Sequence, residues 1–224
     1  MTTRKRKKIV ASMTFRIIQY ITGFFVLTFG VIIIIRSELG AGAWDSTVYN
    51  LAAWLGITLG TASAIINFTH MMILITFRKS LRYIGVIMPI LGMGLTIDFW
   101  NILVFGNVDF SNVSLVIKLM MYGGGMVILT LGLAIIIHAN FIAGTVDEIM
   151  LLVMDLFKTR KILLIRLCIE GFAVILALIF GYLAGIGFGA VNVGTVILAI
   201  VLSPVLAFQI KFVGNLLFEP EEER

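Results

Sequence analysis

Four carboxylates are set where hydrocarbon is otherwise continuous or nearly so: Asp45, Asp98, Asp147 and Glu170. A charge at such depth costs several kcal/mol unless it is paired, hydrated or protonated, so each is a candidate for binding an ion, a proton or a cationic solute. Loss of water raises the proton affinity of a carboxyl, which is what proton coupling would need. Asn67 joins them as a polar group inside an apolar run, with His70 one helical turn further along the same face. Trp44 and Glu148 flank Asp45 and Asp147. Each of those two aspartates also suits the first turn of a short helix, where a side chain can cap the backbone. Capping and solute binding are both open readings for them.

No catalytic signature accompanies these residues. The chain has no His-Glu-x-x-His, no Gly-x-Ser-x-Gly, no phosphate loop and no dinucleotide fingerprint. Cys168 is a lone cysteine, unable to form an internal disulfide or a metal cluster. An enzyme is not expected, nor a cofactor, nor a metal.

The elements that must carry the acids follow from composition. Of 224 residues, 60% are hydrophobic and 13% charged, against about 45–50% and 25% in soluble domains. A helix crosses the hydrocarbon with roughly 20 apolar residues. Six stretches qualify, at about 15–36, 57–77, 83–105, 114–138, 162–184 and 191–213. Their apolar runs do not alternate, which excludes a closed barrel. The expected fold is an all-α membrane protein of six transmembrane helices. The first run is too long for a signal-peptide core and is read as a retained span. With both termini in the cytoplasm, every one of the 17 Lys and Arg residues except Arg36 and Lys118 falls on the inner side. The net charge of +5 therefore reads as a topology signal with attraction to anionic lipid, not as a nucleic-acid surface.

The chain also matches itself. Aligned so that Gly23 meets Gly125, Leu27 meets Leu129, Gly30 meets Gly132, Ala41-Gly42 meets Ala143-Gly144 and Asp45 meets Asp147. One residue of adjustment puts Asn67 opposite Glu170. The third spans agree more weakly, through Gly85 with Gly194 and Phe99 with Phe208, and Asp98 faces Ala207. The expected organisation is a basic arm (1–14), repeat 1 (15–106), repeat 2 (107–214) and an acidic tail (215–224). Three spans per repeat make the second copy inverted, an arrangement common in secondary transporters, with the site near mid-membrane between the repeats.

Each repeat breaks after its first span. Gly40 and Gly42 in one, and Gly144 in the other, permit the chain to reverse. A helix too short to span follows each break. It lies flat at the interface, where Trp44 would be comfortable, or dips inward with its positive end toward a cavity. The inward placement is favoured because the repeats agree best at the break itself.

The Gly-x-Gly-x-Trp-Asp string at Gly40–Asp45, with the glycine-rich third span around Asp98, resembles the YczE/YitT-like group of bacterial integral membrane proteins. The likeness covers most of residues 15–214. It is nearer the YczE branch, because the chain ends soon after the sixth span whereas YitT-type members add a soluble domain. The resemblance implies a bacterial cytoplasmic membrane and no particular substrate.

The leading reading is a small secondary transporter or permease for a cationic or zwitterionic solute, with proton coupling open. One cavity between the repeats is expected, lined by both breaks with Asp45, Asp147, Asn67, Asp98 and Glu170. A substrate-capture subunit of a larger importer and a non-transporting accessory protein are the alternatives. Expected partners are the bilayer, a small-molecule solute, and either a second copy or another membrane subunit.

Overall fold

A backbone in hydrocarbon must satisfy its own polar groups, and each long apolar run of the chain is accordingly helical. The computed structural model describes residues 13–110, 112–139, 141 and 144–217. Over these the order is α1 (Met13–Arg36), α2 (Ala43–Leu55), α3 (Leu59–Arg78), α4 (Ile87–Asp98), α5 (Leu115–Ala139), α6 (Thr145–Leu156), α7 (Ile162–Leu183) and α8 (Val193–Leu217). A 3-10 turn at Leu81–Val86 leads into α4 and a π-helical turn at Phe99–Val104 extends it. Six helical stretches are long and apolar enough to cross a membrane, and α2 and α6 are not among them. Large apolar side chains such as Met88, Leu95 and Ile200 point outward, where lipid replaces water. The molecule is a multi-pass membrane protein. The basic run Arg4–Lys8, the tail from residue 218, and Ala143 of the second break lie outside the described residues.

The first spans of the two halves, α1 and α5, pack antiparallel. Arg16 Nε donates to the Ala139 carbonyl (2.9 Å) and Gln19 Nε2 to that of Ile135 (3.1 Å), tying the start of α1 to the end of α5. Gly23 lies against Gly132, and Gly30 against Gly125. Replacing each member of the first pair by its repeat equivalent produces the second. Small residues let the backbones approach. The approach is so close that a Cβ on Gly30 would fall on the Leu129 amide nitrogen, and one on Gly132 on that of Leu27.

Both short helices lie alongside a span. Thr47 Oγ1 of α2 donates to Ala173 O (2.8 Å), Asn50 Nδ2 to Ala177 O (2.7 Å), and Trp54 stacks on Phe180 at 5.5 Å. The contacts advance together, so α2 runs parallel to α7 and begins beside its middle. In the other half, Thr145 Oγ1 donates to Asn67 Oδ1 (2.6 Å), and Asp155 pairs with Arg78 at 2.7 Å. There α6 runs parallel to α3 and begins beside its middle. Neither short helix lies flat across the ends of the bundle. In a chain crossing six times, the second and fifth spans run oppositely, so α2 and α6 leave the centre toward opposite faces.

Candidate cavities at the two half-helix N-termini

The first break is fixed before the chain turns into α2. Gly40 has a φ of +121°, a conformation that side chains rarely adopt, and packs on Gly194 and Thr195. The Gly194 amide donates to Leu39 O (2.8 Å), and that of Ala41 to Ala190 O (3.0 Å). Ser46 Oγ also donates to Ala190 O (3.1 Å), while Asn50 donates to Phe188 O (3.2 Å) and accepts from the Ala190 amide (3.1 Å). These bonds hold the N-terminus of α2, with Trp44 and Asp45, at a chosen depth.

A cavity of about 210 Å³ opens at that terminus, bounded by Leu27, Trp44, Asp45, Arg166, Glu170 and Leu198, among others. Glu170 accepts from Arg166 Nε at 3.1 Å, one turn away on α7. Asp45 is partly buried and has no hydrogen-bond or ion-pair partner among the described residues. Burial pushes its carboxyl up to about 6. The indole Nε1 of Trp44 is buried with no acceptor among the described residues. An Arg–Glu pair plus one unpaired carboxylate leaves this cavity with a net negative charge when Asp45 is ionised. The α2 dipole partly offsets it.

A second cavity, of about 200 Å³, opens at the N-terminus of α6, with Tyr20, Phe24, Asn67, Pro89, Gly144 and Thr145 in its wall. Under the internal alignment of the sequence, its lining corresponds to that of the first. Gly144-Thr145-Val146 replaces Gly42-Ala43-Trp44, and Asn67 replaces Glu170. In the register that pairs Gly85 with Gly194, its Val86, Pro89, Ile90 and Met93 correspond to Thr195, Leu198, Ala199 and Leu202 of the first. The third spans, nearly silent in sequence identity, thus agree position by position in what they line. Asn67 Nδ2 donates back to Ser63 O (2.9 Å), leaving its carbonyl oxygen for Thr145. Thr145 Oγ1 also lies 3.4 Å from His70 Nδ1, and the His70 ring meets the Trp44 ring edge-on at 4.5 Å. His70 therefore bridges the two half-helix N-termini.

The sequence suggests one cavity between the halves; among the described residues, separate cavities lie at the two half-helix N-termini. α1 and α5 approach so closely at their glycines that the space between the halves is filled around Leu27 and Leu129. Asp45, Trp44, Gly42 and Glu170 meet in the first cavity, and Asn67 and Gly144 in the second. Gly40 supports the first from behind. Asp98 joins neither: its carboxylate accepts from Thr58 Oγ1 (2.6 Å) and from the Gly60 amide (2.7 Å), capping α3 at the far end of its own span. Asp147 is exposed and lines neither cavity. Glu148 turns away to accept from the Tyr83 hydroxyl (3.2 Å). Sequence reasoning missed Arg166, which counted only as an inner-face charge. Its i, i+4 spacing to Glu170 was the available signal. It also missed Thr145 and Met93, whose types carry no signal alone.

The family of unknown function DUF6198 matches residues 14–211. The uncharacterized protein YyaS of Bacillus subtilis (strain 168) is 32% identical over 169 residues, covering 75% of this chain and 82% of that protein. The uncharacterized membrane protein YczE of the same organism is 28% identical over 151 residues, covering 67% and 66%. No solved structure matches.

Proposed function

We propose, from the premise that the chain belongs to the family of unknown function DUF6198, that it is a small secondary transporter of two inverted three-span repeats. Its solute is a small cationic or zwitterionic molecule. The observation that carries this reading is the pair of half-helices starting beside the middle of α7 and α3, each with a cavity at its N-terminus. Interrupted backbone at that depth is tolerated where it lines a cavity, and inverted-repeat transporters place their sites there. The antiparallel α1–α5 contact with reciprocal glycine pairs supports the inverted relation. Asp45 is the group we assign to the solute's positive charge, with Glu170 available once Arg166 releases it. No enzymatic step is part of this reading. The distribution of Lys and Arg supports both termini in the cytoplasm, and the Bacillus relatives support a bacterial membrane.

The test is thermal stability of the purified protein with amines, amino acids, vitamins and nucleosides, across pH, beside Asp45→Asn and Asp147→Asn. A millimolar ligand of micromolar affinity adds about 4 kcal/mol. Stabilisation lost in Asp45→Asn, followed by uptake of the same compound into proteoliposomes, is the expected result. Binding without uptake would instead mark a capture subunit, and no binding at any pH an accessory protein.

A further inference from the structure

The two cavities occupy opposite halves of the bundle. Along α1 the second uses Tyr20, Phe24 and Leu27, and the acidic one uses Leu27 and Val31. Along antiparallel α5 the second uses Leu133 and Ile136, and the acidic one Leu129. They are therefore stacked end to end along α1, in line with the direction of crossing. Leu27 and Met93 are the two side chains that line both. Leu27 is buried in the core cluster with Leu129, and Met93 packs against that cluster. The volumes, about 210 and 200 Å³, suit the same occupant. The walls differ: one offers the Asp45 carboxylate, the other the Asn67 side chain with the aromatic rings of Tyr20 and Phe24. Aromatic faces attract organic ammonium groups without a counter-charge.

We propose that the Asn67–Thr145 cavity is a second station for a small organic ammonium ion that also occupies the Asp45 cavity, and that Leu27 and Met93 form the apolar barrier between the two. This rests on the transport reading above. The repeat equivalents of Leu27 and Met93 are Leu129 and Leu202, both in the wall of the acidic cavity. In the second cavity an unbranched thioether stands where the acidic one has a branched leucine. Met adapts its shape more readily than Leu, which suits a side chain that must give way.

The labelling itself needs no knowledge of the solute; uptake is read with the compound found in the stability screen. Single-cysteine variants Ala199→Cys in the acidic cavity and Ile90→Cys in the second are made in a Cys168→Ser background and reconstituted in liposomes. Aminoethyl methanethiosulfonate is added to one face, with a scavenger thiol trapped on the other. The two positions are expected to label from opposite faces. Adding Leu27→Ala is expected to accelerate labelling of each from its far face by about ten-fold, as for a barrier lowered by one large-to-small change. Met93→Ala serves the same purpose where Leu27→Ala fails to melt cooperatively. Unchanged sidedness in both folded variants, or an Ile90→Cys inert from both faces, would overturn the proposal. A protein that takes up its solute yet keeps that sidedness overturns the barrier alone. Failure of uptake with altered sidedness overturns the transport reading and leaves the barrier standing.

Discussion

Asp45, in the first turn of α2, and Asp98, the last residue of α4, are used differently by the structure. Asp98 is satisfied by Thr58 and the Gly60 amide at the N-terminus of α3. Asp98→Ala should cost about 0.5–2 kcal/mol, the usual worth of a cap, and leave solute affinity unchanged. Chemical denaturation beside a binding titration checks both halves of that statement. Asp45 has no such partner, and its burial holds the carboxyl near 6 against an ordinary 3.8. The native state therefore binds the proton more tightly than the unfolded chain. The stability this group contributes is full below the ordinary value and is lost as pH rises toward 6. Asp45→Asn should gain on the wild type across that window by on the order of 3 kcal/mol, then run level above it. Parallel denaturation curves at every pH would mean that the carboxylate is solvated. The sequence made both aspartates conspicuous, because a carboxylate among apolar residues is conspicuous wherever it sits. It could not separate them, since what satisfies Asp98 is an amide brought from another span.

At the level of elements, the six spans and the two breaks were legible, because each depends on a run of neighbouring residues. The third spans were hardly legible as repeats. In the register that aligns Gly85 with Gly194 they line the cavities at matching positions, where Pro89 stands opposite Leu198 and Ile90 opposite Ala199. The α1–α5 contact lends itself to a graded test. Gly132→Ala drives a Cβ into backbone and should cost about 1–3 kcal/mol, as overpacking does. Gly23→Ala meets chiefly the Ile136 side chain, 2.6 Å from the new Cβ, and should cost less because that chain can turn. A Cβ on Gly124 meets nothing within 4 Å, so Gly124→Ala should be close to neutral. Melting temperatures in one detergent establish the order. A Gly124→Ala as damaging as Gly132→Ala would point to an interface on the outer face of α5.

For the whole molecule, the charge distribution predicts a reporter fused to either terminus to be active on the cytoplasmic side. A periplasmic signal from one end alone would break the six-span count. The division of the interior into two cavities was not legible at this scale, because it depends on how closely α1 and α5 approach, and thus on atoms far apart in the chain. The bonds that hold α2 have one more consequence. Its Ser46, Thr47 and Asn50 find their acceptors on α7 and in the loop after it, more than a hundred residues later. The partner of α6, by contrast, is α3, which precedes it. During synthesis, then, the first half-helix enters a bilayer that does not yet contain its acceptors, and the second enters one that does. A nascent chain stopped before α7 should leave α2 parked among the lipid headgroups and open to membrane proteases. One stopped just after α7 should already protect it. The order of translation thus makes the earlier half of this protein the later one to settle.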